Sequence, residues 1–256
     1  MKKLLTIMIC LLMIGIVAGT FYLLRKDSDS DYAAGVAGSQ SMREHLPNTI
    51  DKKQETTEDS TPKEKEKSVE SENPTLLALD IPQRIQETDY YCVPACIQMA
   101  FSYFNIPIEQ KELADFMHTS SVTGTEYADM TAALNHYIFS PESTRQGTYH
   151  VQTLALQDTN PQHKIVFEQR VKKDLEDGYP LFAAVNLHIL YPNLPAANHM
   201  IIIKGMKLSA QGEPLSYTIL DPYHKVQDPV YGGLKEFSAD TLWKAIIANE
   251  EPAYLW

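Results

Sequence analysis

A polar stretch from Asp27 to about Thr75 divides the chain and confines any hydrophobic core to the residues after it. Ser, Thr, Glu, Lys, Asp and Gln dominate it, large apolar residues are few, and no period is visible. Segments such as Lys52-Lys53-Gln54-Glu55-Thr56-Thr57-Glu58-Asp59 cannot bury enough surface to offset chain entropy. Residues 27–75 are therefore expected to be a disordered tether, and a flexible chain of that length spans about 35–40 Å r.m.s.. From Leu76 to Trp256 apolar periodicity returns. About 180 residues suffice for one domain with its own core.

Before the tether, Lys2-Lys3 precede an uncharged apolar run from Leu4 to Leu24, closed by Arg25-Lys26. As a helix the run would rise about 31 Å, the hydrocarbon thickness of a bilayer. A cleaved signal peptide is the competing reading, with Val17-Ala18-Gly19 as a passable cleavage site. Phe21-Tyr22-Leu23-Leu24 continue the run beyond that site and favour an uncleaved anchor. Residues 1–26 are thus expected to be a membrane anchor or signal peptide. The N-terminal amine and the acidic stretch after Lys26 favour an extracellular C-terminal domain.

The formal net charge is −11, from 33 acidic and 22 basic side chains. No basic footprint offsets it, which argues against a nucleic-acid partner. Three cysteines make no disulfide scaffold. Cys92 and Cys96 lack the spacing of a zinc or redox pair, so neither a metal nor another cofactor is expected. A monomer is expected.

Within 76–256 the patterns predict an opening strand at Leu76–Ile81 and a helix from Cys92 to Phe104. Val93, Cys96, Ile97, Ala100, Phe101 and Phe104 lie on one face of that helix. Further helices are predicted at 109–116, at 130–137 with Ala132, Leu134 and Tyr137, at 166–177 with Val171 and Leu175 inward, and at 238–248. Strands are predicted at 180–186, 200–206 and 217–220, the last two joined around Gln211-Gly212. Segment 138–163 is rich in turn formers and, with the loop 190–197, is expected to flank a cleft. Helices first and strands later argue an α+β fold, with N-terminal helices packed on a mostly antiparallel sheet.

Cys92 stands at the start of a helix, with Pro94 in the first turn. The partial positive charge there favours thiolate over thiol. Among eight histidines, His199 is singled out because it directly precedes the apolar run Met200–Met206. Asp221 directly follows the run Tyr217–Leu220. In an antiparallel hairpin these two residues meet at one edge of the sheet. The carboxylate would orient the imidazole, and the imidazole would face the thiol. Gln86, six residues upstream of Cys92, would supply an oxyanion donor beside the Cys92 backbone N–H. Cys96 reads as core packing.

Gln86-x5-Cys92-x-Pro94-Ala95-Cys96-x2-Met99, then Asn198-His199 before an isoleucine run, then Leu220-Asp221-Pro222-Tyr223, resembles cysteine peptidase family 39. These are papain-like domains, best known for trimming double-glycine leaders from bacteriocins. The resemblance spans residues 79–248. It implies a papain-like fold with Cys92 as nucleophile, His199 as general base, Asp221 as orienter and Gln86 in the oxyanion hole. It also implies a peptide or protein substrate. The family usually has glycine after the nucleophile, where this chain has Val93, so the backbone there must be β-like or helical. The expected function is an extracellular, membrane-anchored cysteine peptidase or amide hydrolase, most active near neutral pH. Alternatives are a binding module of the same fold with catalysis lost, and acyl transfer to an amine.

Overall fold

Two long apolar runs with no polar alternation predict strands buried on both faces. They become neighbours at the centre of the sheet in the computed structural model, which describes residues 74–256. The expected anchor at 1–26, and the tether save its last two residues, lie outside the described residues. Among the described residues no helix is long and apolar enough to cross a membrane.

The central strands are β3 (Leu181–Asn186) and β4 (Asn198–Leu208). The hairpin partner β5 (Pro214–Leu220) follows β4 as expected. Around them lie β1 (Thr75–Ala78), β2 (Val151–Thr153), β6 (Leu234–Ser238) and β7 (Ala253–Leu255). The order is β2-β7-β3-β4-β5-β6, and β1 pairs with the end of β4 that β3 leaves free. Every pairing is antiparallel.

One face of the sheet carries Phe182, Ala184, Met200, Ile202 and Leu220. Helices α1 (Cys92–Tyr103), α2 (Gln110–Phe116) and α3 (Tyr127–Ile138) pack on it. The other face carries Leu181, Ala183, Ile201, Ile203 and Ile219. It is covered by α4 (Pro161–Asp177) and α6 (Ala239–Ile247). A four-residue helix, α5 (Leu187–Leu190), turns the chain after β3. The α+β class and the antiparallel sheet are as the sequence predicts. The second helical layer is what makes the central strands apolar on both sides.

α1 is buried all round from Val93 to Phe101, which is the condition of a helix inside a core. α3 buries Met130, Ala133, Leu134 and Ile138, while Ala132 faces solvent. The expected inward residue was thus displaced by one position. Segment 138–163 supplies β2, the edge strand, three positions from β4. α4 begins earlier than Val166, because Asn160 caps it by accepting from the Gln162 N–H and Pro161 fills the first helical position.

α4 stops at Gly178, whose φ of +86° is left-handed. The N–H groups of Gly178 and Tyr179 satisfy the carbonyls of Leu175 and Asp174 there. Forcing an L side chain into that region costs about 1 kcal/mol. Gly178→Ala should therefore lower the melting temperature by about 2–4 °C, measured by thermal unfolding.

Candidate active site

The β4–β5 ladder ends at the pair Ile202–Leu220, so His199, in the part of β4 that runs on beside β3, and Asp221, just after β5, lie past the same end of the ladder. His199 and Asp221 meet there, with His199 Nε2 at 2.8 Å from Asp221 Oδ1. Both side chains are buried. The opening residue of α1 comes up to the same place, close enough for the Cys92 thiol and the His199 ring to shift each other's ionisation. Nε2 is held by Asp221, which leaves Nδ1 as the ring nitrogen free for another partner. Cys92 itself is half-buried. Tyr91 provides no side-chain cap, which leaves the first N–H groups of α1 without a side-chain partner beside the sulfur.

Burial alone would disfavour charge at all three groups. For Cys92, burial raises the thiol, but the hydrogen bond and charge of His199 and the backbone at Met200 and Val93 outweigh it. The net result is a thiol held below its usual range. For His199, burial lowers the imidazole, while Asp221 and then Cys92 raise it, to about 10. For Asp221, burial raises the carboxyl, while His199, the Tyr223 N–H and the Tyr191 hydroxyl lower it. The three groups, side by side, each shift towards the charged form despite burial.

Asp221 is held on every side. Oδ1 also accepts from the Tyr223 N–H at 2.9 Å, and Oδ2 accepts from the Tyr191 hydroxyl at 2.8 Å. The Asp221 N–H donates to the Gly233 carbonyl at 2.9 Å, and its own carbonyl accepts from Gln227 Nε2 at 2.9 Å. Gly233 runs so close that any Cβ would strike the Asp221 carbonyl oxygen. Tyr191 was missed at the sequence level. It lies in the 190–197 loop, which does reach the site, but a tyrosine after a four-residue helix carries no local signal.

Gln86 is buried, and its N–H donates to the Pro222 carbonyl at 2.9 Å, next to Asp221. Its Nε2 donates to the Thr88 carbonyl at 2.8 Å, in the turn that leads to Cys92, and its Oε1 has no partner. One amide hydrogen is therefore taken by the turn and the other remains available. Cys96, one turn along α1, is fully buried and donates to the Met200 carbonyl. Burial and the neighbouring charges of Cys92 and Asp221 push its thiol well up. Val93 is the second residue of α1, so helical angles accommodate the departure from glycine after Cys92.

The sign of each shift sets a pH profile. Cys92 should be alkylated by iodoacetamide with an inflection below the roughly 8.5 of a free thiol. A second change belongs near pH 10, where His199 loses its proton. His199→Ala removes the two largest effects that oppose burial and leaves only the backbone at Met200 and Val93 against it, so a single inflection should move up from the wild-type value. Peptide mapping by mass spectrometry across pH checks both. Gly233→Ala, which displaces Asp221, should slow neutral-pH labelling at least several-fold.

Comparison with known proteins follows the same residues. Residues 78–248 match the sequence model of the Peptidase_C39 like family. A search of curated proteins finds no match. Among solved structures, a putative C39-like peptidase from Bacillus anthracis is 12% identical, with a TM-score of 0.46 over 71% of this chain and 96% of that one. A double glycine motif protease from an AMS/PCAT transporter, in complex with the leader peptide, is 12% identical, with a TM-score of 0.41 over 70% of this chain and 91% of that one. The peptidase domain of Streptococcus ComA is 13% identical, with a TM-score of 0.40 over 68% of this chain and 96% of that one. The assignment rests on the sequence match across most of the globular region: the chain belongs to the Peptidase_C39 like family of cysteine peptidases.

Proposed function

We propose that the chain is a membrane-anchored extracellular peptidase in which Cys92, His199, Asp221 and Gln86 carry the chemistry. The observation that supports the triad is the buried His199–Asp221 hydrogen bond with the Cys92 thiol beside the ring, where His199 lowers it. The apolar run Leu4–Leu24 between basic residues, followed by the polar stretch 27–75, supports the anchoring and the extracellular placement.

In this reading the Cys92 thiolate attacks the carbonyl carbon of a peptide bond, and the carbonyl electron pair moves onto oxygen. The free amide hydrogen of Gln86 and the Cys92 N–H stabilise that oxyanion. As the oxyanion collapses, the C–N bond breaks and His199 passes its Nδ1 proton to the leaving amine. A thioester remains on Cys92. Neutral His199 then takes a proton from water, whose oxygen attacks the thioester. Collapse releases the amino-terminal fragment with its new carboxylate and restores the thiolate–imidazolium pair. Asp221 holds the ring in the orientation both steps need.

The full chain, purified in detergent and incubated with a mixture of peptides, should generate new N-termini detectable by mass spectrometry. Cys92→Ala should generate none, and Gln86→Ala should lower the rate about 10²–10³-fold. Cleavage retained by Cys92→Ala would reject the assignment of the nucleophile. Products bearing an added amine in place of water would mark the reaction as acyl transfer. Deleting residues 1–26 should move the chain from the membrane fraction to the soluble one.

A further inference from the structure

The segment from Ile81 to Gln86 is in no helix or strand, yet it carries a residue whose side chain must be aimed to within a fraction of an ångström. Something other than a sheet must hold it. In an extended chain, a residue's own N–H and C=O point to one side, and the preceding C=O and following N–H point to the other. On one side, the Gln86 N–H is fixed by the Pro222 carbonyl at 2.9 Å. On the other, a single side chain does what a neighbouring strand would do. Gln110 Nε2 donates to the Ile85 carbonyl at 2.8 Å, and Gln110 Oε1 accepts from the Glu87 N–H at 3.0 Å.

Gln110 is 2% exposed and sits at the first position of α2. Its second amide hydrogen goes to Gln98 Oε1 at 3.0 Å. Gln98, on the buried part of α1, in turn donates to the Ile108 carbonyl at 3.2 Å and to Glu109 Oε2 at 3.1 Å. The amide of Gln110 is thus fully used, and its orientation is set by the same helix that carries Cys92. Two buried carboxamides are costly unless their hydrogen bonds are met. A core with no need to hold the 85–87 segment would be served better by leucine or methionine.

We infer that Gln110, braced by Gln98, is a positioning residue that clamps the peptide groups on both sides of Gln86 and so aims the Gln86 carboxamide at the reacting carbonyl. The inference rests on the reading of Cys92 as nucleophile and Gln86 as oxyanion donor. Gln110 touches no reacting atom. It acts by linking the start of α2 and the buried face of α1 to the strip of chain that bonds the Asp221 loop.

The test separates aiming an oxyanion donor from general support of the site. Iodoacetamide alkylates a thiolate by displacement at carbon and builds no oxyanion on the way. 4-Nitrophenyl acetate acylates the same thiolate through a tetrahedral oxyanion, and nitrophenolate leaves. Both rates are read at Cys92 of the full chain by peptide mapping and nitrophenolate release. Gln110→Met keeps the volume and removes the clamp. It should lower the acylation rate about 10- to 100-fold. The alkylation rate and its pH profile should stay within about twofold of wild type. In a Gln86→Ala background, Gln110→Met should add nothing further.

Acylation unchanged by Gln110→Met would overturn the inference. So would a parallel loss of alkylation, or a full additional loss in the Gln86→Ala background. If circular dichroism shows Gln110→Met unfolded, Glu87→Pro takes its place. It deletes one clamped N–H at an exposed residue and keeps residue 86 extended. The same split between the two reagents is expected from it, and equal loss in both would overturn the inference. A wild-type Cys92 that reacts no faster than a free thiol would instead overturn the reading of the site itself, and the clamp with it.

Discussion

The buried contact between His199 and Asp221 is the interaction on which the rest of the site depends. Two ionised groups taken out of water lose several kcal/mol of hydration each. Their mutual attraction repays this only when the remaining lone pairs and protons are met as well. Here they are met. Asp221 receives the imidazole, the Tyr223 N–H and the Tyr191 hydroxyl, and the other side of the imidazole faces the Cys92 sulfur. The neighbours of each group offset the burial that would otherwise disfavour its charge. Removing any member would leave its neighbour as an isolated buried charge, so the row is a cooperative unit.

That unit is held by pieces of chain distant in sequence, and the fold supplies the common frame. β4 delivers His199, the turn after β5 delivers Asp221, and the hairpin ladder between them fixes their separation. α1 lies buried against the same sheet face and brings Cys92 to its edge. Gly233 shows how tightly the parts are set, since its backbone passes where no side chain would fit against Asp221. The central strands are apolar on both faces because helices cover both, which removes most of the freedom of β4 to slide. A one-residue slip would turn His199 to the other face.

The legible part of this site was the part written in local pattern. His199 and Asp221 each abut an apolar run, and a hairpin brings such positions together whatever its turn is. The start of α1 was readable because Val93, Cys96, Ile97, Ala100 and Phe101 keep a helical period. What stayed hidden depends on contacts far apart in sequence. Tyr191 meets Asp221 across 30 positions and Gln110 meets Ile85 across 25, and neither pairing leaves a trace in spacing. β2 and β7, at three residues each, are too short to show alternation, and they exist because each satisfies the backbone of the other. The face of α3 was misjudged by one residue because Ala132 and Ala133 are chemically identical, and only packing distinguishes them. The anchor and the tether lie outside the described residues and rest on composition alone.

Cys92 and Cys96 put the physical argument in its sharpest form. They are the same side chain, one helical turn apart, on one buried helix. Residue type treats them alike, and only their place along the helix separates them. Cys96 is enclosed by apolar side chains, gives its proton to the Met200 carbonyl, and is pushed away from ionisation by burial and by two negative neighbours. Cys92 opens the helix, where uncapped N–H groups and an imidazolium face the sulfur and only part of it is covered. The difference is the sign of the nearest charges, and that sign is set by where the hairpin ends. The Cys92 thiol is held below its usual range by its place at the junction of α1 with the β4–β5 end, and a shift of a single turn is enough to push the same side chain the other way.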